Sequence, residues 1–256
     1  MARILVTGAA DGLGKIAAQM LITQGHSVVL HARNPMRGEQ ALEALPGAEG
    51  VVTGDLSRIE EIKDIARQAN ASGHFNAIIH NAGVYRVSSG VFTVNSLAPY
   101  ILTCLINRPD RLIYLSSGLH MQGSDRMDRQ SYQNERFTYS DTKLHVLLLA
   151  KALTRMWPGV YANAVNPGWV PTKMGGSGAP DDLMKGAETQ VWLATSNEPE
   201  ALVSGRYFFH KKERNYNPLA DDEGLQDRFL ELCGEISGTS LRKADTENHR
   251  ADTENH

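Results

Sequence analysis

Apolar stretches of two lengths follow one another along the chain. Short runs of apolar and β-branched residues are typical of strands buried on both faces of a parallel sheet. They lie at Ile4–Val6, Ser27–His31, Gly50–Thr53, Ala77–His80, Leu112–Leu115, Tyr161–Val165 and Arg206–Phe209. Longer segments with helical periodicity lie between them, at Lys15–Gln24, Met36–Ala44, Ile59–Ala71, Asn95–Ile106, Ser140–Met156 and Lys185–Thr195. This alternation predicts an α/β fold in which a doubly wound parallel β-sheet is flanked by helices.

Length and the C-terminal sequence define the expected domain organisation. A chain of 256 residues with 41% hydrophobic content can bury the core of one α/β domain. The hexapeptide Ala-Asp-Thr-Glu-Asn-His occurs twice at the end of the chain, at 244–249 and 251–256. We therefore predict one domain over residues 1–238 and a polar tail over 239–256 that is disordered or was added to the natural chain.

Charge and cysteine content exclude several classes of protein. The net charge is −3 and the pI about 6.3, so no basic field indicates a nucleic-acid partner. Cys104 and Cys233 form neither a C-x-x-C pair nor a disulfide framework, which predicts reduced thiols in a reducing compartment. No secretory signal precedes the first strand, and the apolar runs are shorter than the roughly 20 residues that a membrane span needs. We expect a cytoplasmic protein with no membrane span and no metal site.

A glycine-rich turn follows the first predicted strand. The segment from Gly8 to Gly14 reads G-A-A-D-G-L-G and runs into the first predicted helix. Glycines at such a turn let the backbone approach a pyrophosphate, and the helix N-terminus offers unpaired N–H groups to it. No Gly-Lys-Ser or Gly-Lys-Thr follows, which excludes a phosphate-hydrolysing P-loop. The alternative is an ordinary turn, but the flanking strand and helix favour a nucleotide-binding βαβ unit of the Rossmann type.

A phenol and an amine lie four residues apart at the start of a predicted helix, in Tyr139 and Lys143. Side chains at this spacing share one helix face. An adjacent ammonium favours the phenolate, so we expect Lys143 to lower the pKa of Tyr139 toward working pH. Tyr139 is then a candidate acid or base for proton transfer to a carbonyl oxygen. Alone the pair is weak evidence, because this spacing is common on surface helices.

Five motifs occur in one order along most of the chain. They are Thr7 to Gly14, Asn81-Ala82-Gly83 after the fourth strand, Leu115-Ser116-Ser117 at the end of the fifth, Tyr139 to Lys143 (Y-x-x-x-K), and Asn166-Pro167-Gly168 with Thr172 after the sixth. In these motifs the chain resembles the short-chain dehydrogenase/reductase superfamily and, within it, the retinol-dehydrogenase-like branch. The resemblance covers nearly all of residues 3–238.

The resemblance implies a catalytic tetrad of Asn95, Ser117, Tyr139 and Lys143. Ser117 would donate a hydrogen bond to the substrate oxygen; Ser116 is its competitor, and the family usually uses the second serine of the pair. Lys143 would polarise Tyr139 and bind the nicotinamide ribose. Asn95 would hold a backbone kink and a water that leads to the lysine, although a plain helix cap is the alternative.

The resemblance also implies a cofactor site. Its residues are Gly8, Gly12, Leu13, Gly14, Arg33, Asp55, Leu56, Asn81, Ala82, Gly83, Tyr139, Lys143, Pro167, Gly168 and Thr172. The second strand ends without the acidic residue that would bind the ribose of NAD, and Arg33 follows it. A guanidinium there fits a 2′-phosphate, which favours NADP(H) over NAD(H). Arg33 as a solvated charge and Asp55 as a helix cap remain alternatives, and Asp11 in the glycine loop argues against NADP(H).

The expected activity is the interconversion of a carbonyl and an alcohol on a small or lipophilic substrate, by hydride transfer with Tyr139 as acid/base. A non-enzymatic NADP(H)-binding regulator on the same fold is the alternative, since fold does not fix function. A nucleotide-sugar epimerase or dehydratase is disfavoured, because the chain has neither a G-x-x-G-x-x-G loop nor a sizeable C-terminal substrate domain.

Two departures from the family bear on assembly and substrate access. The fourth helix is short, which predicts a weak homodimer or a monomer. The segment Gly118–Thr138 is long and polar, as in the retinol-dehydrogenase-like branch, and with Met174–Pro180 it is expected to line the substrate mouth. His120 and His210 are candidate contacts at the rim, with ordinary surface histidines as the alternative.

Overall fold

Eight strands form a single sheet in the computed structural model, which describes residues 1–85 and 87–243. They are β1 (Arg3–Val6), β2 (Ser27–Ala32), β3 (Gly50–Thr53), β4 (Ala77–His80), β5 (Arg111–Leu115), β6 (Tyr161–Asn166), β7 (Tyr207–Phe209) and β8 (Lys212–Glu213). Their order is β3-β2-β1-β4-β5-β6-β7-β8; β1 to β7 are parallel and β8 pairs antiparallel with β7. The strand order reverses between β1 and β4, so the site expected in such a fold lies at their carboxyl ends. The predicted doubly wound sheet is confirmed.

Helices cover both faces of the sheet. They are α1 (Gly12–Thr23), α2 (Pro35–Ala44), α3 (Ile59–Ala71), α4 (Ala98–Leu105), α5 (Arg129–Gln133), α6 (Tyr139–Met156), α7 (Leu183–Thr195) and α8 (Glu223–Ser237). One core lies under α3, α4, α6 and α8, and a second under α1, α2 and α7. In α1 the buried positions Gly14, Ala17, Ala18 and Leu21 follow the spacing of one helix face. Among the described residues, no helix is long and apolar enough to cross a membrane.

The predicted helix Asn95–Ile106 begins differently in the structure. A π-helical turn spans Thr93–Leu97, and α4 follows it. Pro99 has no N–H to donate to the carbonyl of Asn95, which lies four residues earlier, so regular α-helix cannot form at that point. The Asn95 side chain holds the widened turn, because its Oδ1 accepts from Val84 N at 2.8 Å and its Nδ2 donates to Val84 O at 2.9 Å.

The C-terminal helix α8 was not among the predicted elements. Its buried side chains Leu225, Phe229, Leu232 and Cys233 recur at helical spacing, and Gly238 ends it in a left-handed conformation. The chain continues to pack beyond this helix: the Trp157 indole, for example, donates to the carbonyl of Arg242 at 2.7 Å. The repeated hexapeptides lie outside the described residues.

Asp141 ties the polar segment before α6 to the first turn of that helix. Its Oδ2 accepts from the backbone and hydroxyl of Thr138, the N-cap, which completes a capping box. Its Oδ1 accepts from the backbone and hydroxyl of Ser124, each at 2.8 Å. Burial works to raise the pKa of Asp141, but these hydrogen bonds outweigh burial and hold the pKa below its usual value of 3.8.

We predict that Asp141→Asn destabilises the protein. An amide at this position turns an NH₂ group toward N–H and O–H donors, so buried donors lose their acceptor at a cost of about 2–3 kcal/mol. Urea unfolding at pH 7 measures this as a lowered midpoint. Asp125→Asn is the matched control, because Asp125 is exposed on the same segment.

The difference in stability between wild type and Asp141→Asn should depend on pH. The folded-state pKa of Asp141 lies below the unfolded one, so its carboxylate stabilises the fold at neutral pH and loses this effect as pH falls below about 4. The gap between wild type and Asp141→Asn should therefore narrow in acid. A constant gap from pH 7 to pH 3 would contradict this account.

Candidate active site

Two adjoining cavities open at the carboxyl ends of the parallel strands. A cleft of about 1160 Å³ runs along β1, β2 and β4, and a pocket of about 550 Å³ lies beside β5 and β6. Their shared lining residues are Leu13, Ser116, Tyr139, Pro167, Thr172 and Met174. A molecule in the cleft and another in the pocket can therefore meet at Tyr139.

The cleft contains most of the predicted cofactor residues. Gly8, Gly12, Leu13, Arg33, Asp55, Leu56, Asn81, Ala82, Gly83, Tyr139, Lys143, Pro167 and Thr172 line it. Gly14 and Gly168 do not; Gly14 is buried behind the loop and Gly168 lines the smaller pocket. Of the predicted tetrad, Ser117 lines the pocket and Asn95 is buried behind the site.

The glycine loop forms a cradle that larger residues would fill. Gly8 has a φ of +66°, and a Cβ there would lie 3.0 Å from Ala82 Cα. A Cβ on Gly14 would lie 2.4 Å from both Asn81 Nδ2 and Gly8 O. The loop backbone thus packs directly against Asn81 and Ala82, and the cleft beyond it fits the phosphates of a dinucleotide.

Charged side chains surround the outer end of the cleft. Arg33 donates from Nε to Asp55 Oδ2 at 2.8 Å, while Asp55 Oδ1 accepts from Ser57 N at 2.9 Å. Both carboxylate oxygens of Asp55 are therefore paired within the protein, and Asp55 is not the N-cap of α3, which is Arg58. The predicted contact of Asp55 with the adenine stays a prediction. Arg37, which sequence analysis did not single out, lies 3.6 Å from Asp11 Oδ2.

Asp11 caps a helix and forms ion pairs. It caps α1 through Gly12 N at 2.8 Å, and it also pairs with Lys173, which comes from the segment after β6. The hydrogen bond to Lys173 is the main reason why the pKa of Asp11 lies below its usual value. This carboxylate in the glycine loop is thus offset by two cations, Arg37 and Lys173.

Lys143 is buried at the centre of the site. Its Nζ donates to the carbonyl of Leu115, the last residue of β5, at 2.8 Å. Burial lowers the pKa of this ammonium to about 8. A Cβ on Gly83 would lie 3.4 Å from both Lys143 Nζ and Asn95 Oδ1, so the backbone of Gly83 lies directly against these two side chains.

The expected lowering of the pKa of Tyr139 is not found in this structure. Burial raises its pKa to about 12, and a hydrogen bond with the Ser117 side chain lowers it only in part. Lys143 Nζ lies 5.3 Å from the centroid of the Tyr139 ring and points to the Leu115 carbonyl instead. The phenol is consequently in its protonated form at neutral pH.

The two serines after β5 have different surroundings. Ser116 is buried, and its hydroxyl donates to the carbonyl of Lys143 at 2.7 Å. Ser117 caps the following 3₁₀ turn by accepting from Leu119 N at 3.2 Å, and its hydroxyl reaches Tyr139. A hydroxyl and a phenol therefore stand side by side in the pocket wall.

Asn95 is connected to the start of α6 rather than to solvent. Its Nδ2 donates to Thr142 Oγ1 at 3.1 Å, and that hydroxyl donates to the carbonyl of Tyr139 at 2.7 Å. The π-helical turn and the reactive end of α6 are thus linked directly. Asn95 lies inside that turn, so it is not an N-cap.

Several residues that line the pocket were not predicted from the sequence. Tyr85 follows β4, Trp169 and Asp181 follow β6, and Phe209 is the last residue of β7; these four residues share no motif. Of the polar segment before α6, Gly118 and Leu119 line the pocket, while Tyr132 and Glu135 line the cleft. His120 is only 1% exposed and is not a surface residue, whereas His210 is exposed.

Known proteins similar to this chain span nearly all of it. A family model described as short chain dehydrogenase matches residues 2–100. An uncharacterized oxidoreductase of Emericella nidulans is 43% identical, and a short-chain dehydrogenase of Penicillium rubens is 41% identical; each alignment covers 94% of this chain and 99% of the relative. Retinol dehydrogenase 14 of Homo sapiens is 29% identical over 92% of this chain and 86% of its own length, in line with the predicted branch.

A solved structure from Mycobacterium paratuberculosis has the same fold. Its TM-score is 0.78, over 94% of this chain and 95% of that chain, at 22% sequence identity. The fold is one that binds nicotinamide cofactors, and the cradle formed by Gly8 and Gly14 fits that use. On the identity and coverage of these relatives, the chain belongs to the short-chain dehydrogenase/reductase family of oxidoreductases.

Proposed function

We propose that this oxidoreductase interconverts a carbonyl and an alcohol on a small or lipophilic molecule, with NADP(H) as cofactor and Tyr139 as the acid/base. One observation carries the proposal: the Ser117 and Tyr139 hydroxyls interact where the pocket meets the cleft, with Lys143 buried beside them. Two hydroxyl donors at one point can bind a single carbonyl oxygen.

When bound, the nicotinamide cofactor supplies or accepts the hydride. Ser117 and Tyr139 donate hydrogen bonds to the substrate oxygen and stabilise the negative charge that builds there during reduction. The phenol is protonated at neutral pH, because its pKa is about 12, and it gives its proton to that oxygen. Lys143 supplies the proton that restores the phenol and regains one from water, while Asn95 holds the first turn of α6 in place through Thr142. Alcohol oxidation uses the same groups in reverse.

Tyr139→Phe should reduce turnover by about 10²–10⁴-fold, the range for loss of a general acid. Cofactor affinity should remain near wild type, because the phenol adds little to a cleft lined by many residues. Turnover is measured from the absorbance of the reduced nicotinamide with a panel of aldehydes, ketones and secondary alcohols. Cofactor affinity is measured by calorimetry.

Tyr161→Phe is the control for this variant, since Tyr161 lies at the start of β6, at the opposite end of the sheet. Turnover by Tyr139→Phe at the wild-type rate would reject the acid/base role. Cofactor binding by wild type without turnover of any compound in the panel would favour the regulatory alternative.

The cofactor preference rests on Arg33. Its side chain is 73% exposed at the rim of the cleft, and Asp55 fixes its orientation through Nε and Nη2, at 2.8 and 2.7 Å. The remaining guanidinium N–H groups are available to a phosphate in the bidentate manner typical of arginine. Arg37 adds a second cation to the same rim. These cations support NADP(H) rather than NAD(H).

Arg33→Ala should weaken NADP(H) binding by about 1.5–3 kcal/mol, which is roughly 10- to 150-fold, and leave NAD(H) binding nearly unchanged. Dissociation constants for both cofactors measure this. Arg58→Ala is the matched control, because Arg58 is 72% exposed and also pairs with a carboxylate, that of Glu61. An unchanged ratio of the two affinities in Arg33→Ala would show that another residue selects the cofactor.

We also propose that the protein is a monomer or at most a weak dimer. The residues of α6 from Asp141 to Ala150 are all buried within this chain, and α8 covers the helix through contacts such as Phe229 on His145, with ring centroids 5.1 Å apart. Little apolar surface of α6 then remains for a second copy. Light scattering over a dilution series should give a mass near 28.1 kDa at low micromolar concentration. A tetramer that persists there would contradict the proposal.

A further inference from the structure

The pocket beside Tyr139 offers few free polar groups. The Ser116 hydroxyl donates to the carbonyl of Lys143, and the side-chain oxygens of Thr172 and Asn166 accept from the backbone N–H groups of Gly175 and Gly168. Ser117 and Tyr139 are the two hydroxyls that interact with each other in the pocket wall. These two hydroxyls are enough for one carbonyl oxygen and leave the rest of a bound molecule facing apolar surface.

Aromatic side chains from separate elements form the walls of this pocket. Tyr85 comes from the loop after β4, Trp169 from the segment after β6, and Phe209 from the end of β7. Tyr85 packs edge-on against Tyr139, with ring centroids 4.7 Å apart and an interplanar angle of 60°. Aromatic walls around a volume of about 550 Å³ suit a flat, apolar body of drug-like size.

Phe209 is held in the wall by a two-residue hairpin turn. The two residues that join β7 to β8, His210 and Lys211, have φ values of +50° and +59°, in a region that non-glycine residues rarely adopt. The turn is held by Lys211 N donating to Thr189 Oγ1 at 3.0 Å and by the stacking of Phe209 on His210 at 3.9 Å. Positive φ at both residues is the geometry of a two-residue β-hairpin turn, and this turn fixes Phe209 at the end of β7, where it lines the pocket.

A carboxylate sets the charge of the pocket. Asp181 lines it and accepts from Trp169 N at 2.6 Å through Oδ2. A Cβ on Gly168 would lie 2.5 Å from the same oxygen, so Asp181 is closely confined. Among the described residues, none that lines the pocket is Lys, Arg or His. A substrate with its own carboxylate would meet like charge without a compensating cation.

We infer, on the basis of the proposed function, that the substrate is a neutral carbonyl compound with a flat aromatic body. Phe209 and the other aromatic walls bind that body, and Asp181 discriminates against molecules that carry a carboxylate. Phe209 and Asp181 are thus the residues that determine specificity.

The test uses two ketones of nearly equal size: methyl 6-acetyl-2-naphthoate, which is neutral, and the corresponding free acid. Calorimetry in the presence of NADP⁺ gives the affinity of each. Wild type should bind the ester at least about tenfold more tightly than the acid. Asp181→Asn retains a side-chain oxygen that can accept from Trp169 N, and it should reduce the ratio of ester affinity to acid affinity about threefold or more. Phe209→Ala should weaken ester binding by about tenfold.

Met184→Ala is the control variant: Met184 is 51% exposed on α7 and lies outside the pocket lining, so both affinities should stay unchanged. The inference is overturned if the ester does not bind, if the acid binds as tightly as the ester, or if Phe209→Ala leaves ester binding intact.

Turnover of the ester with NADPH is measured separately. If wild type and the variants bind the ester and the acid as expected but the ester is not turned over, the result counts against the proposed function alone. If the ester is turned over but the affinities do not show the expected preference for ester over acid, the result counts against the specificity inference alone.

Discussion

The site depends on the burial of one ammonium group, that of Lys143. Burial removes this ammonium from water and lowers its pKa to about 8. Its Nζ donates to the carbonyl of Leu115, its own carbonyl accepts from Ser116, and the backbone of Gly83 lies against it. The ends of β4 and β5 and the first turns of α6 are therefore fixed relative to one another by the need to accommodate this side chain.

The elements around Lys143 are rigid for reasons that can be traced to particular residues. Pro99 prevents a regular helix at Asn95, and the resulting π-helical turn lets the Asn95 side chain reach both Val84 and Thr142. Asp141 caps α6 and binds the preceding segment with four hydrogen bonds. Positioning of reactive groups by capped helices and strand ends is more precise than positioning by loops alone. Tyr139, the first residue of α6, gains its fixed place from these neighbours.

Sequence reasoning predicted the parts of this molecule that are encoded locally. Buried strands are short apolar runs, and the glycine loop and the Tyr139–Lys143 spacing are contiguous motifs, so the fold and most of the cleft lining could be predicted. The periodic apolar residues of α8 are a local signal of the same kind, from which this helix could have been predicted. The π-helical turn, the pairing of Arg33 with Asp55, and the convergence of Asp181 and Phe209 on one pocket arise from contacts distant in sequence. Likewise, the pKa of Tyr139 depends on burial and on the direction of Lys143 Nζ, neither of which spacing reveals.

The cleft and the pocket differ in charge as well as in position. The rim of the cleft carries Arg33, Arg37 and Lys173 together with the carboxylates of Asp11 and Asp55 that pair with them, whereas the pocket has aromatic walls and the carboxylate of Asp181. The cleft therefore offers cations that an anion can contact, whereas the formal charge in the described lining of the pocket is negative. Both cavities meet at Tyr139, so under the proposed function this difference in charge favours the cofactor phosphates in the cleft and a neutral molecule in the pocket.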